Sequence, residues 1–247
     1  MRRFIKVIRR KWASISFTRK INVRLHEPIV SFTFDDAPIS AFENGVNILS
    51  KFGFGGTFYI SLSLMNGVEQ ETRFTVQHLN NAIAQHNELG CHTYGHTDLY
   101  TLPFEKGRDD IIQNQKRIGE IVPGYTFKNF SYPFGSQTRT IKQFISSRFR
   151  SARGIEEGIN LNDADRYNLK TVKVYEHRFT PEYLHRKIDE VIANKGWLIF
   201  YTHDVMENPT DWGCSPGFFD DVVQYCARHN IKVLTVNDAL NQIEGNS

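Results

Sequence analysis

Several features that mark common protein classes are scarce in this chain of 247 residues. Cysteine is scarce. Cys91, Cys214 and Cys226 are odd in number and show no CxxC spacing, so neither a disulfide framework nor a zinc ribbon is supported, and a reducing compartment is expected. Long apolar runs are absent from the N-terminal stretch, where no secretory core follows the arginines. A cleaved signal peptide or a membrane span is therefore not expected there. Acidic residues are absent from positions 1–24, which hold nine lysines and arginines. Internal repeats and low-complexity tracts are absent as well, which excludes a solenoid or a repetitive array.

What is present suits one folded body. Hydrophobic residues make up 40% and aromatics 13%, enough for a sizeable core, and the length suits one α/β barrel or doubly wound sheet. The formal net charge is +3, but beyond residue 24 the chain carries 21 basic against 27 acidic residues. The body is mildly acidic, so no nucleic-acid partner is expected. Within the basic stretch Phe4, Ile5, Ile8, Trp12 and Ile15 recur at helical spacing. That pattern describes an amphipathic arm, residues 1–27, which could lie on an anionic membrane surface through residues 1–24; a solvated arm or a mitochondrial-type presequence shows the same pattern. Residues 28–247 are read as a single catalytic barrel.

From residue 29 onward short apolar runs alternate with amphipathic stretches. Strands are expected over 29–34, 57–60, 127–132, 150–153, 170–175, 197–202 and 231–236. Helices are expected over 42–52, 76–89, 109–121, 138–149, 181–194, 218–230 and 238–243, with 154–169 polar and irregular. This alternation predicts a parallel sheet with covering helices. The unusual polar residues collect just after strands: Asp35-Asp36, His92, Pro133-Phe134 and His203-Asp204. In parallel α/β folds the loops at the carboxyl ends of strands form the active-site face, so these segments should converge on one rim.

Adjacent carboxylates in a water-poor site repel unless a cation lies between them or one is protonated. His92 and His96 are four apart and would share a face on a helical turn. Two histidines and one carboxylate make a three-ligand site with open positions, as catalytic metals use. The second Asp is then free as a base, and His203 is the natural acid. Each piece has a plainer reading: a solvated acidic loop, two surface histidines, a hydrogen-bonded structural histidine. Their joint placement after strands favours the site. The same ligand set suits Fe(II), so a non-haem iron oxygenase is an alternative, although the second Asp and His203 argue for hydrolysis. Trp212, in the polar loop 207–217, could stack on a sugar ring or simply pack that loop.

In order, Thr33-Phe34-Asp35-Asp36, the run His92–Leu99 (HTYGHTDL), the Pro133-Phe134-Gly135 turn and an apolar strand ending in His203 resemble the polysaccharide deacetylase family, the NodB-homology or carbohydrate esterase 4 group. The resemblance covers about residues 29–243. It implies an α/β fold, a distorted (β/α) barrel with fewer than eight strands. It implies hydrolytic removal of an acetyl group from a sugar with a divalent metal, commonly Zn2+. By position it implies Asp35 as general base, Asp36, His92 and His96 as metal ligands, and His203 as general acid. Thr93 would hold the motif loop, Phe134 after Pro133 would offer a backbone N–H to the oxyanion, and Tyr201 would help line the acetyl pocket. Three departures stand out. Ala37 replaces the usual Gly, which is mild if the backbone there does not need positive φ. Ser131 stands where many members have an Arg that orients the base, with Arg153 the candidate to substitute. The Asp- and Trp-containing fourth motif has only 163–166 as its nearest match.

The expected partner is an N-acetylated sugar of a bacterial surface polysaccharide or its lipid-linked precursor. The expected location is cytoplasmic, at the inner face of the membrane. Deformylation or O-deacetylation, and a catalytically silent carbohydrate-binding relative, are the alternatives.

Overall fold

The computed structural model describes residues 17–65 and 74–245. Most of the expected amphipathic arm, and with it the expected membrane contact, lies outside the described residues. Among the described residues no helix is long and apolar enough to cross a membrane.

Ten strands are described: β1 Lys20–Val23, β2 Ile29–Asp35, β3 Thr57–Ile60, β4 Glu88–Cys91, β5 Asn129–Ser131, β6 Ser151–Glu157, β7 Asn162–Asp165, β8 Leu169–Lys173, β9 Trp197–Thr202 and β10 Lys232–Val233. Strands β2, β3, β4, β5, β6, β8 and β9 run parallel in that order, and β9 pairs back onto β2 to close a seven-stranded barrel. This is the distorted barrel that the sequence resemblance implied. A parallel barrel has no free edge, and each crossover helix covers the outside.

The helices are α1 Val46–Ser50, preceded by a π-type turn Ala41–Gly45, then α2 Val76–Ala84, α3 Phe104–Ile121, α4 Arg139–Ser146, α5 Pro181–Asn194, α6 Pro216–Arg228 and α7 Val236–Gly245. Their starts follow simple chemistry. Thr138, Thr180 and Ser215 each cap a helix by accepting a backbone N–H three residues on, and Pro181 and Pro216 occupy first helical positions. The period-2 alternation of β2 sorts its side chains. Val30, Phe32 and Phe34 enter the layer beneath the helices, where Phe34 stacks on Phe58 at 4.5 Å and Phe32 meets Phe219 of α6. Ser31 and Asp35 face inward, toward Trp197 Nε1 and Arg153 respectively. The base of the barrel is filled by Ile29, Leu169, Trp197 and Ile199 and sealed by Val236, Leu240 and Ile243 of α7.

Four elements differ from expectation. The helix expected over 76–89 stops early: the chain turns at His86 (φ 61°), and Glu88–Cys91 is a fully buried strand in which any side chain at Gly90 would strike the Tyr59 ring. The stretch expected to be irregular over 154–169 contains the end of β6 and all of β7. Strand β7 pairs antiparallel with β1, so Lys20–Val23, within the segment read as an arm, is part of the fold. The strand expected over 231–236 is cut to Lys232–Val233, because Thr235 caps α7 by accepting the Asp238 N–H. Finally, His92–His96 is not helical. Thr93 (φ 61°) and His96 (φ 51°) are left-handed, and this bent backbone, not a helical turn, brings the imidazoles together.

Candidate active site

The loops after β2, β4, β5 and β9 meet at the carboxyl end of the barrel. Asp35 is the last residue of β2, and Asp36 follows at φ 57°. Ala37 is also left-handed, at φ 43°, so the alanine stands where backbone geometry favours glycine and the departure is not mild. The strained corner turns the two neighbouring carboxylates apart: Asp35 is buried against the barrel interior, whereas Asp36 faces the histidines.

Asp36, His92 and His96 each offer one ligand atom, all within 4.8 Å of one another. Asp36 Oδ1 lies 3.2 Å from His96 Nε2 and 3.7 Å from His92 Nε2. It is buried and accepts no hydrogen bond. Burial pushes the His92 pKa down to about 4, against the upward pull of Asp35 and Asp36, so its ring is neutral at neutral pH. His92 Nδ1 lies 2.8 Å from the Ser131 carbonyl, which can only accept; the ring hydrogen therefore sits on Nδ1, and the Nε2 lone pair is left toward Asp36. An orphaned carboxylate oxygen facing two imidazole nitrogens fits a divalent cation, and the N2O donor set suits zinc.

Asp35 is held by Arg153. The guanidinium Nη2 makes a close ion pair with Asp35 Oδ1, Nη1 donates to the Gly154 carbonyl at 3.0 Å, and the plane lies between the rings of Tyr59 and Tyr201. Burial alone would raise the Asp35 pKa, but Arg153, with smaller effects from His92 and His203, brings it down to about 2. Ser131 and Arg153 are register partners on β5 and β6. The cation absent from position 131 thus arrives from the neighbouring strand at the same height. The stretch nearest the missing fourth motif does not reach the site: Asp163 pairs with Lys20 and Asp165 with Lys142, on the outer β1–β7 ribbon.

His203 follows β9, and Tyr201 is buried beside Arg153. Phe134, at φ 58° and 54% exposed, packs its ring 4.6 Å from His96. Trp212, 48% exposed, lines with Asp36, His96 and His203 a cleft of about 480 Å³. Thr93 and Pro133 are buried supports; Thr93 Oγ1 accepts the Thr97 N–H at 3.1 Å. Sequence reasoning missed Asp110 of α3. Its carboxylate accepts Tyr94 N at 2.9 Å, Gly95 N at 3.1 Å and the Thr97 hydroxyl at 3.2 Å, pinning the loop that carries His96. Nothing in the sequence distinguishes it from a solvated helical acid.

Comparison with known proteins agrees with this geometry. Residues 22–148, just over half of the chain, match the family described as polysaccharide deacetylase. A bifunctional xylanase/deacetylase of Pseudobutyrivibrio xylanivorans is 27% identical over 124 residues; the match covers 50% of this chain and 19% of that protein. The fold resembles the chitin deacetylase of Colletotrichum lindemuthianum (TM-score 0.64, 17% identity, 88% of this chain and 89% of that one). It also resembles the peptidoglycan deacetylase PdaC of Bacillus subtilis (0.61, 16%, 90% and 94%). A third similar fold is a CE4-family pseudoenzyme of Bacillus anthracis (0.62, 16%, 89% and 67%). With the family match spanning β1 to α4 and the two acids and two histidines standing together within it, the chain belongs to the polysaccharide deacetylase family.

Proposed function

We propose that this chain is a metal-dependent hydrolase that removes an N-acetyl group from a sugar, part of a bacterial surface polysaccharide or its lipid-linked precursor. The observation that carries the reading is the division of labour between the adjacent acids. Asp36 Oδ1 is free and faces both histidines, while Asp35 is kept ionised by Arg153 and is available as a base. Asp36, His92 and His96 would hold the cation, for which zinc is the best fit to the donors. When bound, it supplies Lewis-acid chemistry, polarising the acyl carbonyl and making water acidic enough for a weak base to deprotonate.

The chain's own residues do the rest. Asp35 takes the proton from the attacking water. His203 gives one to the departing nitrogen, without which an amine leaves poorly. The Phe134 side chain packs on the His96 ring, and its backbone N–H would support the oxyanion. Trp212 offers a flat apolar face to a pyranose ring. The lipid-linked substrate and the cytoplasmic face of the membrane belong to this reading through the basic, apolar pattern of residues 1–24.

The test is acetate and formate release from a panel of N-acetyl sugars, nucleotide sugars and lipid-linked sugars, with and without chelator and added zinc. Chelator-sensitive acetate release is expected. Formate alone would make the chain a deformylase, and no release from metal-loaded protein would favour a binding role.

A further inference from the structure

The loop after β9 folds back around one buried carboxylate. Asp204 is 4% exposed. Its Oδ2 accepts the Thr210 N–H at 2.8 Å, and its Oδ1 accepts the Thr210 hydroxyl at 2.6 Å. Its main-chain carbonyl accepts the Cys214 N–H at 3.0 Å. Gly213 lies so close that any side chain there would overlap the Asp204 carboxylate and carbonyl. Thr210 passes the order along: its carbonyl accepts Gly213 N at 3.1 Å, and its hydroxyl accepts Trp212 N at 3.3 Å.

The result is a fixed position for the Trp212 carbonyl. That oxygen accepts the His203 N–H at 3.1 Å and the Thr202 hydroxyl at 3.3 Å, and it lies 3.2 Å from His203 Nδ1. A carbonyl only accepts, so the hydrogen at the ring contact sits on Nδ1. Among the described residues no carboxylate lies within ion-pair distance of the His203 ring. The tautomer therefore depends on this one carbonyl, and through it on the clasp between Asp204 and Thr210.

We propose that Asp204, acting with Thr210, is a positioning residue for His203: it sets the Trp212 carbonyl, which holds the imidazole with Nδ1 protonated and leaves Nε2 to move the proton. The proposal rests on the reading of His203 as proton donor. In the step concerned, the C–N bond of the tetrahedral adduct breaks and its electron pair goes to nitrogen. The proton on His203 Nε2 goes to that nitrogen, yielding amine and acetate, while Nδ1 keeps its hydrogen. A leaving group that departs as a stable anion needs no such proton. Damage to the clasp should therefore show on an amide and not on an activated ester, whereas general damage to the loop would show on both.

The experiment compares the zinc-loaded full chain with Asp204→Asn, Thr210→Val and Thr210→Ser, on an N-acetylated chitooligosaccharide and on 4-nitrophenyl acetate. The first two variants are expected to lower kcat on the amide at least about 10-fold, a part of the roughly 10²–10⁴ a general acid contributes. They should change the ester rate less than about 3-fold, and Thr210→Ser should keep both rates. Equal losses on both substrates, or an unchanged amide rate, would overturn the proposal. In parallel, ¹⁵N shifts of the His203 ring should show Nδ1–H in the parent chain and a mixture of tautomers in Thr210→Val; identical shifts would also overturn it. If the parent chain releases acetate from neither substrate, the deacetylase reading is decided on the sugar panel above, and the tautomer comparison alone decides the clasp.

Discussion

Asp35 and Asp36 are neighbours in sequence with opposite environments, and the backbone between them is the cause. Two left-handed residues, Asp36 and Ala37, swing the second carboxylate out to the histidines while the first stays on the inner face of β2. If their roles divide as proposed, Asp35→Asn retains metal and loses activity, whereas His92→Ala loses both; metal content and acetate release, measured on the same samples, check this. Arg153 is the residue on which Asp35 depends. Arg153→Met would leave a carboxylate in a dry site without its cation and is expected to cost about 3–5 kcal/mol in urea unfolding. Because residues 131 and 153 face each other across β5 and β6, adding Ser131→Arg to that variant should recover much of the loss. No recovery would mean that the site tolerates only the β6 origin.

At the scale of elements, the motifs were legible and the backbone that presents them was not. Strand β2 reads directly from its apolar run, and so does β9, because both are buried on two faces. The backbone of the loop after β4 is not legible in the sequence. Histidines four apart would share a face on a helical turn, but the left-handed φ at Thr93 and His96 is not encoded by glycine, and the stretch between and after them is held instead by tertiary hydrogen bonds from Tyr94 N, Gly95 N and the Thr97 hydroxyl to Asp110. Strand β4 was hidden for a similar reason: Glu88 and Gly90 have low strand propensity and are placed by pairing between β3 and β5. Arg153 was visible only through the resemblance, as the candidate to replace the Arg that many members carry where this chain has Ser131. Asp110 was not visible. Asp110→Ala should weaken zinc binding roughly 10-fold by freeing the loop that carries His96, as measured by titration calorimetry.

In the whole molecule, the two ends of the barrel carry opposite electrostatic problems. At the carboxyl end Asp35 is held ionised by Arg153. Near the other end Glu88 is buried, and desolvation raises its pKa in spite of hydrogen bonds from Asn129, Asn237 and Thr57. A carboxyl whose folded pKa lies above its unfolded value contributes stability below pH about 4.5 that is lost as pH rises through the folded value. Glu88→Gln removes that slope, so its stability relative to the parent chain should increase as pH rises from 4 toward 7, as read by urea unfolding at each pH. A constant difference would mean that Glu88 is not penalised in the fold.

The central claim, that the barrel mouth is built to hold a divalent cation on Asp36, His92 and His96, is met most directly by titrating zinc into the chelator-stripped chain by calorimetry, beside His92→Ala. The account predicts one saturable site per chain that is lost in the variant. No saturable site in the parent chain, or undiminished binding in the variant, would contradict it.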